Sequence, residues 1–222
     1  MKKGIIFDMD GTLWNSAEGV AACWTEVVKT EYPIAHDGDV DSENRSVRVI
    51  TKEKIQSVMG LTMDKLAEAV FPELDYDSRM ELLDKCCKAE NDYLEKYGGE
   101  LYPEVENTLV RLKERYHLYI VSNCQSGYIE AFLKYYDFGK YFDDIECYGN
   151  NELNKGENIR LVADRNSLDK AVYVGDIQGD YVSSCEAGVE FVYAAYGFGQ
   201  MEQVTPEIQA FSELPGVVDR IL

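Results

Sequence analysis

Lys2-Lys3-Gly4-Ile5-Ile6-Phe7-Asp8-Met9-Asp10-Gly11-Thr12 is an apolar run that stops at two carboxylates and a glycine. Ile5 to Phe7 read as a short buried strand, and Gly11 marks the turn by which the chain leaves it. Asp8 and Asp10 therefore stand at a strand's carboxyl end. Open α/β sheets bind ligands along that edge, which makes the pair a candidate site, although Asp and Gly also favour ordinary turns.

Two later apolar runs end in the same manner. Leu118 to Val121 stop at Ser122-Asn123, and Ala171 to Val174 stop at Gly175-Asp176, with Asp180 four residues on. Helical spacings separate these runs: Val105, Leu109 and Leu112; Ile129, Phe132 and Leu133; Ile159 and Val162; then Tyr181 to Ala187. Further strands are expected over Asp144–Tyr148 and Phe191–Ala195. Alternation of this kind predicts a parallel sheet wrapped on both faces, a Rossmann-like doubly wound α/β core. In such a sheet the carboxyl ends share one edge, so Asp8, Asp10, Ser122, Asn123, Asp176 and Asp180 converge there. Lys155, at the start of a helix, is within reach of the same edge. Four carboxylates repel one another unless cations are present, which implies a hard divalent ion, magnesium, together with Lys155.

Between the first strand and the rest, the texture is helical. Val20, Cys23, Trp24, Val27 and Val28 lie on one face of a segment for which Ser16 is the expected N-cap. From Thr51 to Tyr97 helical stripes continue through breaks at Gly60 and Pro72 and end at Gly98-Gly99. This divides the chain into a core of residues 1–15 plus 98–222 and a helical insert of residues 16–97, with hinges at Trp14–Ser16 and Gly98–Leu101. The polar stretch from Ala35 to Arg48 contains Asp37, Asp39 and Asp41. Ser42 and Arg48 replace the Gly and Glu that a calcium loop needs, so it is read as a solvated loop.

Composition narrows the function. The net charge of −19, from 22 Lys and Arg against 41 Asp and Glu, argues against nucleic acid as a partner. It also means that an anionic substrate needs local cationic help. No apolar run reaches the roughly 18 residues of a membrane helix, and Asp8 and Asp10 interrupt the opening run too early for a signal peptide. The six cysteines have no Cys-x-x-Cys spacing and are read as reduced, packed thiols. These features place the chain in the cytoplasm with no membrane partner.

Asp8-Met9-Asp10-Gly11-Thr12 matches the D-x-D-G-T signature of the haloacid dehalogenase-like superfamily in its magnesium-dependent phosphatase branch. Ser122, Lys155 and Gly175-Asp176 with Asp180 resemble its three later motifs, so the resemblance spans the chain. The insert resembles the small cap of the branch that includes phosphoglycolate phosphatase and β-phosphoglucomutase. The resemblance implies Asp8 as nucleophile and Asp10 as acid and base. It implies magnesium on Asp8, the Asp10 backbone carbonyl and Asp176, and Asp180 behind them as a residue that orients the site. Thr12, Ser122, Asn123 and Lys155 would lie against the phosphate of a small phosphorylated metabolite. Asn15, Gly156 and Ile177 depart from the family pattern without removing a catalytic group.

Other activities are weighed against this one. A phosphomutase of the β-phosphoglucomutase type carries histidine where this chain has Val20, and a dehalogenase would lack Asp10. Pyrophosphate remains among the candidate substrates. Outside catalysis, a receiver-like switch would need Asp where Ser122 stands, and a binding or regulatory protein on the same fold would not need all four motifs intact.

Overall fold

The computed structural model describes residues 1–32 and 49–222, so the stretch read as a solvated loop, Ala35 to Arg48, lies outside the described residues. Lys3–Phe7 forms β1, whose Ile5, Ile6 and Phe7 are all fully buried. Two short strands, β2 (Trp14–Asn15) and β3 (Glu100–Leu101), bracket four helices: α1 (Ala17–Glu31), α2 (Lys52–Gln56), α3 (Met63–Val70) and α4 (Tyr76–Tyr97). Then follow α5 (Val105–Lys113), β4 (His117–Ser122), α6 (Tyr128–Tyr136), β5 (Asp144–Cys147), α7 (Tyr148–Asn151) and α8 (Lys155–Arg165). The chain closes with β6 (Lys170–Gly175), α9 (Gln178–Ala187), β7 (Glu190–Ala194), β8 (Glu207–Ile208) and α10 (Leu214–Ile221).

The main sheet has the order β5-β4-β1-β6-β7-β8, and every pairing in it is parallel. β1 lies inside the sheet, with Phe7 beside Ile120 of β4 and Val174 of β6. Its side chains alternate between two cores. Ile5 and Phe7 join the larger one, whereas Ile6 joins Tyr119, Val121, Ile159, Val162 and Tyr173 on the other face. A strand buried on both faces has no polar alternation, which is why the sequence shows a continuous apolar run there. The doubly wound α/β class expected from the sequence is thus the observed one.

The expected hinges turn out to be paired. β2 and β3 form an antiparallel ribbon, with Trp14 opposite Leu101 and Asn15 opposite Glu100. Gly99 permits the contact, since a Cβ there would lie 2.9 Å from the Trp14 ring. A two-residue strand carries too little periodicity to be read from sequence, and β8 is equally short. The strand expected to run to Tyr148 stops at Cys147, where α7 begins. Among the described residues no helix is long and apolar enough to cross a membrane.

Phe7 sets an expectation for stability. Its ring packs against Phe142 and Phe211 at centroid distances of 6.2 and 5.8 Å, within the larger core. Phe7→Ala should cost about 3–5 kcal/mol, the range for emptying a buried aromatic site. Denaturant titration would measure it, and a loss below about 1 kcal/mol would show that the site collapses around the gap.

Candidate active site

The carboxyl ends of β1, β4 and β6 bring the candidates together. Asp8 follows β1, and its backbone N–H donates to the Val174 carbonyl at 2.9 Å. Gly11, at φ +83°, turns the chain back, while the Leu13 N–H donates to the Met9 carbonyl at 2.8 Å. Ser122 ends β4, and Asp176 directly follows β6. All three are buried, with exposures of 7% or less.

Lys155 is the cation of this edge. It is the first residue of α8, where the helix dipole disfavours positive charge, and a solvated side chain would be ordinary there. It is instead 3% exposed, with Nζ donating to Asp8 Oδ1 at 3.0 Å and to Asp180 Oδ1 at 2.6 Å. Burial alone would lower its pKa, but Asp180 and Asp8 outweigh that and raise it, so the ammonium stays charged. The capping box of Asn154 and Glu157 fixes the helix start that aims it.

Asp180 is fully engaged. Its Oδ1 holds Lys155, and its Oδ2 accepts from the backbone N–H groups of Asp176 at 3.0 Å and Ile177 at 3.1 Å. Gly175 makes this possible, because a Cβ there would lie 2.5 Å from that same oxygen. Asp176 Oδ2 accepts from the Phe198 N–H at 2.7 Å, and a side chain at Gly11 or Gly197 would collide with the Asp176 carboxyl group.

Asp10 occupies a different environment. Its Oδ1 accepts from Ser16 Oγ and its Oδ2 from the Tyr128 hydroxyl, both at 2.7 Å, and the two hydroxyls lie 2.8 Å apart. Ser16 is therefore not the side-chain cap expected of it; its backbone is helical and its hydroxyl is spent on Asp10. Burial raises the pKa of Asp10 despite these donors. Tyr128, buried at the start of α6, is a site residue that sequence reading missed, since a Tyr 118 positions away carries no local signal.

Two other candidates are placed less directly. The Thr12 hydroxyl is buried without a hydrogen-bond partner, and Thr12 is not on the wall of the cleft in front of Asp8. Asn123 does line that cleft, with its Nδ2 donating to the Gly60 carbonyl at 2.9 Å. The cleft has a volume of about 550 Å³ including its open mouth, and residues between Val20 and Glu90 supply much of its wall.

The donor set fits a hard cation. Asp8, Asp176 and Asp180 each bring a carboxylate oxygen within 4.8 Å of the others. Among the described residues only Lys155 donates a charged hydrogen bond to them. Burial raises the pKa of Asp8 against the pull of Lys155 and raises that of Asp176 as well, and the neighbouring carboxylates add to both shifts. Oxygen-only ligands of this kind suit magnesium.

The family model for haloacid dehalogenase-like hydrolases matches residues 5–194. The chain belongs to that family. The phosphoglycolate phosphatase of Escherichia coli K12 is 26% identical over 219 residues, covering 91% of this chain and 84% of the relative. That of Salmonella typhimurium is also 26% identical, with the same coverage. A haloacid dehalogenase-like family protein of Streptococcus pneumoniae superposes with a TM-score of 0.78 at 20% identity, covering 98% of both chains. The 2-haloacid dehalogenase of Pseudomonas syringae superposes with a TM-score of 0.64, also at 20% identity, covering both chains fully. Likeness at these identities is one of fold, shared by members with different chemistry.

The acidic cluster predicts a pH-dependent response to metal. Acids whose folded pKa values are raised hold protons that the unfolded chain has lost, so without metal they lower stability as pH rises through that window. A cation displaces those protons, so its stabilising effect grows with pH. Magnesium should therefore raise Tm more at about pH 8 than at about pH 6. Asp176→Asn should remove most of the difference, and equal shifts at both pH values would count against the metal site.

Proposed function

We propose that this hydrolase is a magnesium-dependent phosphomonoesterase that acts on a small phosphorylated metabolite through an aspartyl-phosphate. The observation that carries the reading is the division of Asp8 and Asp10 between two environments. Asp8 is held against the Lys155 ammonium, while Asp10 sits between two hydroxyls with its pKa raised. Paired acids whose surroundings differ in this way suit different tasks.

Asp8 attacks phosphorus; its oxygen forms the new bond as the bond to the leaving oxygen breaks. Asp10 gives its proton to that leaving oxygen, then takes one from the water that attacks the aspartyl-phosphate and frees Asp8. Lys155, Ser122 and Asn123 bind the non-bridging phosphoryl oxygens, with Thr12 supporting the turn behind them. Asp180 holds Lys155 and the Asp176 backbone in place. Magnesium, when held by Asp8, the Asp10 backbone carbonyl and Asp176, offsets the charge of the phosphoryl group. Val20 on the cleft wall offers no base for a second proton transfer, which favours hydrolysis over a mutase.

We read residues 16–97 as a cap over a core of 1–15 and 98–222. Gly60 of the insert touches the core twice: its carbonyl accepts from Asn123, and a Cβ on it would collide with Ile177. These contacts bring the cap down onto the rim of the cleft.

Phosphate release from an aryl phosphate should require magnesium, cease with EDTA, and fall roughly 10⁴-fold or more in Asp8→Asn, the scale seen on removing a nucleophile. Undiminished turnover in that variant would exclude Asp8 as the attacking group. Tyr128→Phe removes one hydrogen bond from Asp10 and should slow turnover roughly tenfold, with the alkaline limb of the rate profile shifted. A variant whose rate and profile match the parent would leave Tyr128 without a part in positioning Asp10.

A further inference from the structure

Beyond the phosphoryl subsite, the cleft is lined by the apolar side chains of Val20, Trp24, Ile55, Val58, Met59 and Leu66. One acid interrupts them. Glu90, in the middle of α4, is 5% exposed and lines the cleft beside Gln125, three residues beyond Ser122. Its Oε2 accepts from the Trp24 indole N–H at 2.5 Å. Gln125 also approaches it, while its amide nitrogen donates to Asn91 at 3.0 Å. Asn91 in turn donates to the Ser126 carbonyl at 2.8 Å, so α4 is pinned to the loop that follows Ser122. Glu90 is therefore held at a fixed place above the phosphate-binding edge.

A carboxyl group buried among apolar side chains is costly unless its acceptor capacity is used. The Trp24 indole takes one of the lone pairs of Glu90 and leaves others available on a residue that lines the cleft. We infer that Glu90 recognises the leaving group, and that the substrate is a phosphomonoester whose alcohol carries a hydrogen-bond donor, hydroxyl or ammonium, on an otherwise apolar body. This inference rests on the phosphomonoesterase reading above and narrows its substrate class. A leaving group that ends in a carboxylate would bring further acceptors to a wall where the Trp24 indole N–H is already taken by Glu90. A phosphoester whose leaving group ends in a carboxylate, as phosphoglycolate does, is thereby disfavoured, although relatives at 26% identity carry that substrate in their name. Glu90 is a specificity residue in this scheme, touching the part of the substrate that does not react.

The test compares kcat/KM for alkyl, hydroxyalkyl, aminoalkyl and carboxyalkyl phosphates of two-, three- and four-carbon length, phosphoglycolate included, with magnesium and with an aryl phosphate as reference. A hydroxyalkyl or aminoalkyl ester should exceed the alkyl ester of equal length by roughly 10- to 100-fold, the worth of one hydrogen bond to a charged or strongly polar group. The carboxyalkyl esters should be poorest. Which of the first two leads identifies the donor. In Glu90→Leu the ratio of donor-bearing to alkyl ester should fall to about one. Glu90→Gln keeps an acceptor for Trp24 and guards against a folding defect; it should improve the carboxyalkyl esters relative to the rest by about tenfold. Preference for phosphoglycolate in the parent enzyme, or the same loss for every ester in both variants, would overturn the inference and leave Glu90 as a brace for Trp24. Absence of magnesium-dependent hydrolysis of the aryl phosphate would instead overturn the phosphomonoesterase reading, and this one with it.

Discussion

The interaction on which the rest depends is one ammonium buried between two carboxylates. Lys155 carries its charge into a buried site, which is tolerable only because Asp8 and Asp180 accept hydrogen bonds from it at 3.0 and 2.6 Å. Each partner is then constrained in turn. Asp180 spends its remaining oxygen on the backbone of Asp176 and Ile177, which fixes the turn after β6. Asp8 is held at the end of a strand that both neighbours grip through parallel pairing. A chain of hydrogen bonds that runs from Lys155 through Asp180 to the backbone after β6 holds this edge in one arrangement.

The same edge shows how the fold keeps two similar acids apart. Asp8 and Asp10 are separated by one residue, yet Asp8 meets an ammonium and Asp10 meets the hydroxyls of Ser16 and Tyr128. Gly11 is the cause of the divergence: its positive φ bends the chain immediately after Asp10, toward β2 and the start of α1. Ser16 then serves Asp10 at the expense of capping its own helix. A cap is worth about 1 kcal/mol, a modest stability cost beside the control of an acid's protonation.

The insert answers a different need. Its contribution to the cleft is largely apolar, and its long helix α4 carries the one buried acid there, Glu90. Contacts from Gly60 to Asn123 and Ile177, and from Asn91 to Ser126, join it to the core at the rim of the cleft. In the proposed scheme the sheet edge meets the phosphate and the helices before β3 meet what is attached to it, a separation common where function is grafted on a shared fold.

How much was legible in the chain itself follows from these particulars. The apolar runs ending at Asp8, Ser122 and Asp176 announced a parallel sheet, because strands buried on both faces must be apolar throughout and must stop where the sheet stops. That alone placed the catalytic candidates on one edge, and the spacing of Val20, Trp24 and Val28 announced a helix. Sequence could not show that Lys155 is buried, since a lysine at a helix start looks the same whether solvated or paired. Nor could it show Ser16 and Tyr128 meeting at Asp10, or Trp24 meeting Glu90 across 66 positions. Periodicity reports which face of an element is buried; it says nothing of which polar groups face each other once elements pack. Those pairings are decided by tertiary structure alone, because the energy of a buried charge or hydroxyl depends on a partner that the local chain does not contain.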